Sequence, residues 1–213
     1  MVLKNIPLSF VLILLFVSAC DSTKKTENNY VQYVNPLIGT DFTGNTYPGA
    51  QVPFGMVQLS PDNGLPGWDR IAGYFYPDST IAGFSHTHLS GTGAGDLYDV
   101  SFMPVTLPYR EAPQPLGIYS SFSHDDESVS AGYYQVLLKD YGIHVELTAT
   151  ERCGIQRYTF PEAEAAVFLN LKKAMNWDFT TDSYIEVIGN GTGIPFFSGM
   201  VSRPAGIFPN PFF

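Results

Sequence analysis

With 213 residues, 45% of them hydrophobic and 15% aromatic, the chain is long enough to bury a sizeable core, and its composition excludes intrinsic disorder. Twenty acidic residues against eleven basic ones give a formal charge of −9, which excludes a nucleic-acid partner because phosphate neutralisation needs clustered Lys and Arg. Thirteen tyrosines, sixteen phenylalanines, twenty glycines and sixteen prolines describe loop-rich β structure whose aromatic faces can stack on sugars.

The chain opens with Lys4 and an apolar run from Leu8 to Val17. That run is shorter than the ~20 residues a membrane span requires, so Met1 to Ala19 reads as a secretory signal. Its end, Val17-Ser18-Ala19-Cys20, resembles the lipobox of bacterial lipoproteins, in which the cysteine is acylated. The expectation is an exported domain lipid-anchored through Cys20 to the bacterial cell envelope, at the outer membrane or in the periplasm. Residues 20–30 are polar and aperiodic and suit a tether. Cys153 is then left without a partner, so no disulfide framework is implied.

Folded sequence begins near Tyr30, and the expected domain covers residues 31–194. Turn chemistry follows at Gly39-Thr40-Asp41 and Gly44-Asn45-Thr46. Val52 to Leu59 alternates imperfectly around Pro53 and Gly55, predicting an edge strand or extended segment. Asp62 to Asp69 is a loop that carries Trp68 among Gly67, Asp69 and Pro66. An indole in so polar a setting is either exposed for a ligand or folded back as an anchor, and residue chemistry leaves both open.

Val100 to Leu107 predicts a strand, and Tyr133 to Leu138 pairs with Ile143 to Thr150 as a hairpin across Lys139 to Gly142. In the second of these arms Ile143, Val145, Leu147 and Ala149 share one face and His144, Glu146, Thr148 and Thr150 the other, the period of a half-buried strand. Arg152 to Phe160, Ala165 to Leu171 and Tyr184 to Ile188 add three more strands, and the best helical candidate is the short Glu162 to Ala166. Many short strands without a sustained helical period predict an all-β antiparallel sandwich. Residues 195–213 depart from this pattern, with four prolines and hardly a charge, and predict a poor strand. The abrupt change near Ile194 is compatible with a slipped reading frame or with an exposed Pro/Phe-rich tail.

Phe84 to Asp99, FSHTHLSGTGAGDLYD, is the most distinctive stretch. Glycines at 91, 93 and 95 admit close approach to the backbone, and Ser90, Thr92, Asp96 and Asp99 place oxygens beside it, the equipment for a polyol or a hard cation. The residues alone leave this loop open between ligand contact and a surface turn whose polar groups satisfy one another. His86 and His88, two apart on an extended segment, project to one side at a spacing that suits zinc, against which stands simple hydrogen bonding. Cys153 is expected on a strand as a small buried apolar group.

Tyr33 to Thr40 (YVNPLIGT), Thr46 to Leu59 (TYPGAQVPFGMVQL), Gly67-Trp68-Asp69, Gly83 to Asp96 (GFSHTHLSGTGAGD), Phe102-Met103-Pro104 and Leu147 to Phe160 (LTATERCGIQRYTF) together resemble the N-terminal domain of the family 92 glycoside hydrolases. The resemblance runs from Tyr33 to Ile194. It implies a calcium-dependent, exo-acting α-mannosidase that inverts its substrate, with a β-sandwich packed on a larger (α/α)6 barrel. By the same resemblance the general acid, the general base and most calcium ligands lie on that barrel, so no catalytic or metal residue is assigned here, and the expected partners are mannose-containing glycans, the lipid membrane and the barrel domain. Trp68 resembles the aromatic residue of the leaving-group subsite, Gly95 and Asp96 the loop touching the non-reducing mannose, and Gly39 and Thr40 the lining of the same pocket. The sequence departs from the family at Asp41-Phe42, where glycines are common, and at Gln156, where histidine is frequent. Favouring calcium, the resemblance also favours structural hydrogen bonding for both imidazoles. Two other readings remain, a carbohydrate-binding surface lipoprotein without catalysis and a non-functional fragment.

Overall fold

The computed structural model describes residues 29–91, 97–114, 116–171, 180–188 and 196–202. The chain divides into two units, Met1–Tyr30 and Val31–Phe213. The signal, the lipobox with Cys20 and nearly all of the tether lie outside the described residues. Among the described residues no helix is long and apolar enough to cross a membrane.

Described strands follow in chain order as β1 (Ser60–Asp62), β2 (Thr80–Ile81), β3 (Gly83–Ser85), β4 (Ser101–Thr106), β5 (Ser120–Ser121), β6 (Glu127–Ser130), β7 (Tyr133–Leu138), β8 (Ile143–Ala149), β9 (Gly154–Thr159), β10 (Ala165–Asn170), β11 (Asp182–Ile188) and β12 (Phe196–Ser202). Their pairings are all antiparallel. One sheet runs β1-β3-β4-β10 and another β6-β7-β8-β9, with the pairs β2-β5 and β11-β12 beside them.

The β7-β8 hairpin shows why the sandwich forms. Leu138 pairs with Ile143 at the closed end and Tyr134 with Leu147 further along, so the inner face carries Tyr134, Val136, Leu138, Ile143, Val145 and Leu147, all buried. His144 and Thr148 take the exposed face, as their spacing predicts. Gly142 closes the turn at φ 63°, with its N–H and that of Tyr141 donating to the carbonyl of Leu138. From the other sheet Phe84, Met103 and Val105 complete the same apolar cluster with Leu59. Each fully buried aliphatic side chain contributes about 1.5–3 kcal/mol.

Several expectations are corrected. Val52 to Leu59 is not an edge strand: Gly55 N–H donates to Val52 O in a tight turn, and the segment is tied by the Ala50–Leu59 bridge and by single bonds from Met56 N–H to Glu151 O and Gln58 N–H to His86 O. Pro53 lacks a donor, and Phe54 stands fully exposed at φ 60° on the turn. Glu162 to Ala166 is no helix, because Ala165 and Ala166 begin β10 opposite Thr106 and Val105. Cys153 is exposed, since it sits in the β8-β9 turn and not on the strand, with its N–H on Thr150 Oγ1 at 3.2 Å. The tail contains a strand after all: β12 pairs with β11 from Ile188–Phe196 to Asp182–Ser202. Its seven residues carry no proline, so every N–H is available to the ladder. Nor is the Phe84–Asp99 stretch wholly for contact, because Phe84, Ser85, His88 and Tyr98 are buried.

His88 sits in a dry polar cluster that joins three strands. Nδ1 faces the carbonyl of Gln58 at 2.8 Å and therefore carries a proton. Nε2 lies 2.9 Å from Asp62 Oδ1, and both side chains are fully buried. Ser85 donates to Asp62 Oδ1 at 2.9 Å and Ser101 to Oδ2 at 3.2 Å, so β1, β3 and β4 all bond one carboxyl group. Removing one partner leaves the other desolvated. His88→Ala is expected to cost about 3–5 kcal/mol of unfolding free energy by urea denaturation; a loss below ~1 kcal/mol, the ordinary worth of an exposed pair, would contradict this.

Candidate sugar-facing site

Three loops carry the sequence-predicted residues, and backbone bonds tie the first to the others through Asn45–Gly91 and Thr40–Tyr76. The first is the turn from Leu37 to Thr46. Thr40 N–H and Oγ1–H both donate to Leu37 O, Thr46 Oγ1–H donates to Ile38 O at 2.9 Å, and Thr46 N–H donates to Gly39 O at 3.2 Å. Gly39 adopts φ 84°, and a Cβ there would meet Thr46 Oγ1 at 2.9 Å, so the position admits glycine alone. Thr40 is buried with its hydroxyl turned inward, while its carbonyl accepts the N–H of Tyr76 at 2.8 Å.

Where the family commonly has glycines, this chain places Phe42 at φ 51° with its ring exposed. Asp41 Oδ1 accepts the Phe42 N–H and holds the bend, a left-handed conformation that costs a non-glycine residue about 1–2 kcal/mol. Asn45, also left-handed and buried, gives its carbonyl to the N–H of Gly91 at 2.7 Å. The glycine-rich stretch thus starts against the first turn. Gly91 itself has φ 100°, with open space where a Cβ would stand. Gly95 and Asp96 lie outside the described residues.

The second loop carries Trp68. It starts a single 3-10 turn, Trp68–Arg70, and its side chain is half exposed. Gly67 precedes it at φ 157° and ψ 156°, a conformation open to glycine alone. Arg70 Nε donates to Asp78 Oδ2 at 2.6 Å and Nη2 to Oδ1, while the guanidinium lies 4.7 Å over the Phe75 ring. Asn63 supports this loop from below, its Nδ2 donating to Thr80 O at 2.7 Å and its Oδ1 accepting from Phe75 N–H.

The third loop begins with the two histidines. His86 Nδ1–H donates to Val100 O at 3.0 Å, and a Cβ on Gly154 would come within 2.7 Å of its ring. His88 is held by Asp62 and Gln58, with Tyr47 stacked obliquely on it at 5.1 Å. Both imidazoles are bonded within the fold, and they do not face a common ligand. Gln156, at the family's histidine position, donates to Phe84 O at 3.3 Å and accepts from Tyr158 OH at 2.6 Å.

Among the described residues no three Asp, Glu, His or Cys side chains converge as a metal ligand set. The buried carboxylates are committed to structure. Asp62 belongs to His88 and two serines, Asp78 to Arg70, and Glu127 accepts from Tyr74, Tyr134 and His124. A cavity of about 670 Å³ lies elsewhere, lined by Ala82, Met103, Gln114, Phe168 and Tyr184 among others, and none of the sequence-predicted residues borders it. Sequence reasoning missed Asn45, Asp62, Arg70 and Asp78, whose partners lie 8 to 46 positions away.

An antiparallel sandwich presenting glycine turns and an exposed indole is the setting of a carbohydrate-active domain. The chain belongs to glycosyl hydrolase family 92: the family's N-terminal domain matches residues 33–200. A solved family 92 α-mannosidase of Bacteroides thetaiotaomicron, determined with mannoimidazole, is 42% identical with a TM-score of 0.70, covering 75% of this chain and 22% of its own. The inverting family 92 mannosidase of the same organism is 32% identical with a TM-score of 0.61, over 75% of this chain and 21% of its own. An uncharacterized secreted glycosidase of Arthroderma benhamiae is 30% identical over 149 residues, 65% of this chain and 18% of the relative. The chain therefore spans about a fifth of the length of these relatives.

Burial lowers the pKa of His86, against a smaller opposing pull from the Val100 carbonyl. Folded His86 thus stays neutral at a pH where the unfolded chain, near 6.5, already takes up a proton. Its contribution is present above about pH 6.5 and is lost as pH falls. Urea unfolding at pH 7 and pH 5 should show a smaller loss for His86→Gln than for the parent; equal losses would contradict the assignment.

Proposed function

We propose that this chain is the sugar-facing N-terminal domain of an exo-acting, inverting α-mannosidase that trims mannose-containing glycans. What supports the reading is the Gly39–Thr40 turn bonded to Tyr76, the Gly91 loop bonded to Asn45, and the half-exposed Trp68, all within a family 92 domain. An indole face packs on the C–H groups of a pyranose, and a glycine turn lets a sugar ring approach the backbone. Gly95 and Asp96 extend the same loop, where a carboxylate accepts two sugar hydroxyls. Trp68 belongs to the leaving-group side and the glycine loop to the non-reducing mannose.

Inverting hydrolysis places two carboxyl groups about 6.5–9.5 Å apart with a water between them. Because the described buried carboxylates are bound to structural partners, the acid and base belong to the further length that the relatives possess. Calcium asks for six to eight oxygens, and among the described residues no three acidic or imidazole side chains converge to supply them, so most of its ligands are assigned to that same further length and no step is routed through it here. The name of the secreted fungal relative supports export, and acylation of Cys20 supplies the envelope anchor.

Titration with an α-linked mannobiose, whose second sugar reaches the leaving-group side where Trp68 stands, followed by calorimetry, tests the reading. Saturable binding weakened about tenfold in Trp68→Ala is expected, a loss near 1.4 kcal/mol. Binding indifferent to Trp68 would remove the indole from the site, and turnover by the purified 213-residue chain would contradict the placement of the acid and base elsewhere.

A further inference from the structure

Trp68 stands on a single turn closed by Arg70 N–H on Gly67 O at 3.1 Å and Ile71 N–H on Trp68 O at 3.3 Å. The 3-10 segment has three residues, no side-chain hydrogen bond caps it, and a glycine with a conformation closed to other residues precedes it. Its last member adds a side-chain clamp to the neighbouring segment. Arg70 grips both oxygens of Asp78, covers the Phe75 ring, and lies beneath Gly67, where a Cβ would stand 3.5 Å from Nη1. The segment it grips, Phe75 to Asp78, is itself closed by Asp78 N–H donating to Phe75 O at 2.9 Å, and Tyr76 N–H holds Thr40 O.

We infer that Arg70 is a positioning residue, whose fork on Asp78 and stack on Phe75 fix the Trp68 indole against the Gly39–Thr40 turn; this rests on the sugar-facing reading above. The geometry needs arginine. Two parallel bonds to one carboxylate and a flat contact on a ring both follow from the planar guanidinium, and a lysine ammonium supplies neither. Charge alone is insufficient. Side-chain exposures of 24% for Arg70 and 9% for Asp78 place the pair under the loop and out of the path of a ligand, and Nε and Nη2 are already committed.

Arg70→Lys tests this without leaving Asp78 uncompensated in its buried position. The chain has two tryptophans, so Trp177→Phe leaves Trp68 as the sole indole. In that background Arg70→Lys should raise acrylamide quenching of Trp68 about twofold, lower its fluorescence anisotropy, and weaken binding of an α-linked mannobiose about three- to tenfold with little change in thermal midpoint. Asp78→Asn should move the indole in the same sense. Unchanged quenching and anisotropy in Arg70→Lys would overturn the inference, even where mannoside still binds. A loosened indole in a chain that binds no mannoside supports the clamp and sinks the sugar reading alone.

Discussion

The buried contact between Asp62 and His88 is the constraint on which the loop side of the molecule depends. Two groups that water would otherwise solvate are held with no solvent access, and such a pair is tolerated only when every polar atom is met. Here Ser85, Ser101 and the Gln58 carbonyl complete the set. Because those partners come from β1, β3, β4 and the segment before β1, the pair fixes the start of the glycine-rich loop relative to the sheet. Hydrophobic burial could not do this, being indifferent to register.

Two tiers of organisation follow. The β6-β9 ladder is held by apolar side chains and antiparallel register, with Arg157 bound to Glu146 on its open face holding that carboxyl at about 2. The loops between Leu37 and Val100 are held by polar clamps and special backbone. Among the described residues, five non-glycine ones, Phe42, Asn45, Phe54, Tyr98 and Val100, adopt positive φ, and all lie between Leu37 and Val100 in sequence. Each such position costs of order 1–3 kcal/mol and persists only where the surroundings over-determine it.

The hairpin of β7 and β8 was fully legible because a period of two reports burial directly, as Ile143, Val145 and Leu147 show. Family motifs carried the position of Trp68 and of the Gly39 turn. Long-range polar pairing was not legible: nothing local in Asp62 or Arg70 announces a partner, and either reads as an ordinary loop charge. Cys153 was misplaced by one turn, since strand ends are set by hydrogen bonds such as that to Thr150 and not by composition. The strand β12 was hidden by prolines that flank it without entering it.

On the proposed reading the domain works by placement, through an indole, two glycine turns and a fixed backbone. A crystal structure with a bound α-mannoside tests that most directly. The account predicts the leaving-group moiety in contact with the Trp68 ring and the non-reducing mannose against the Gly39 turn and the Gly91 loop. A sugar bound instead in the cavity beside Phe168 and Tyr184, with Trp68 untouched, would contradict it.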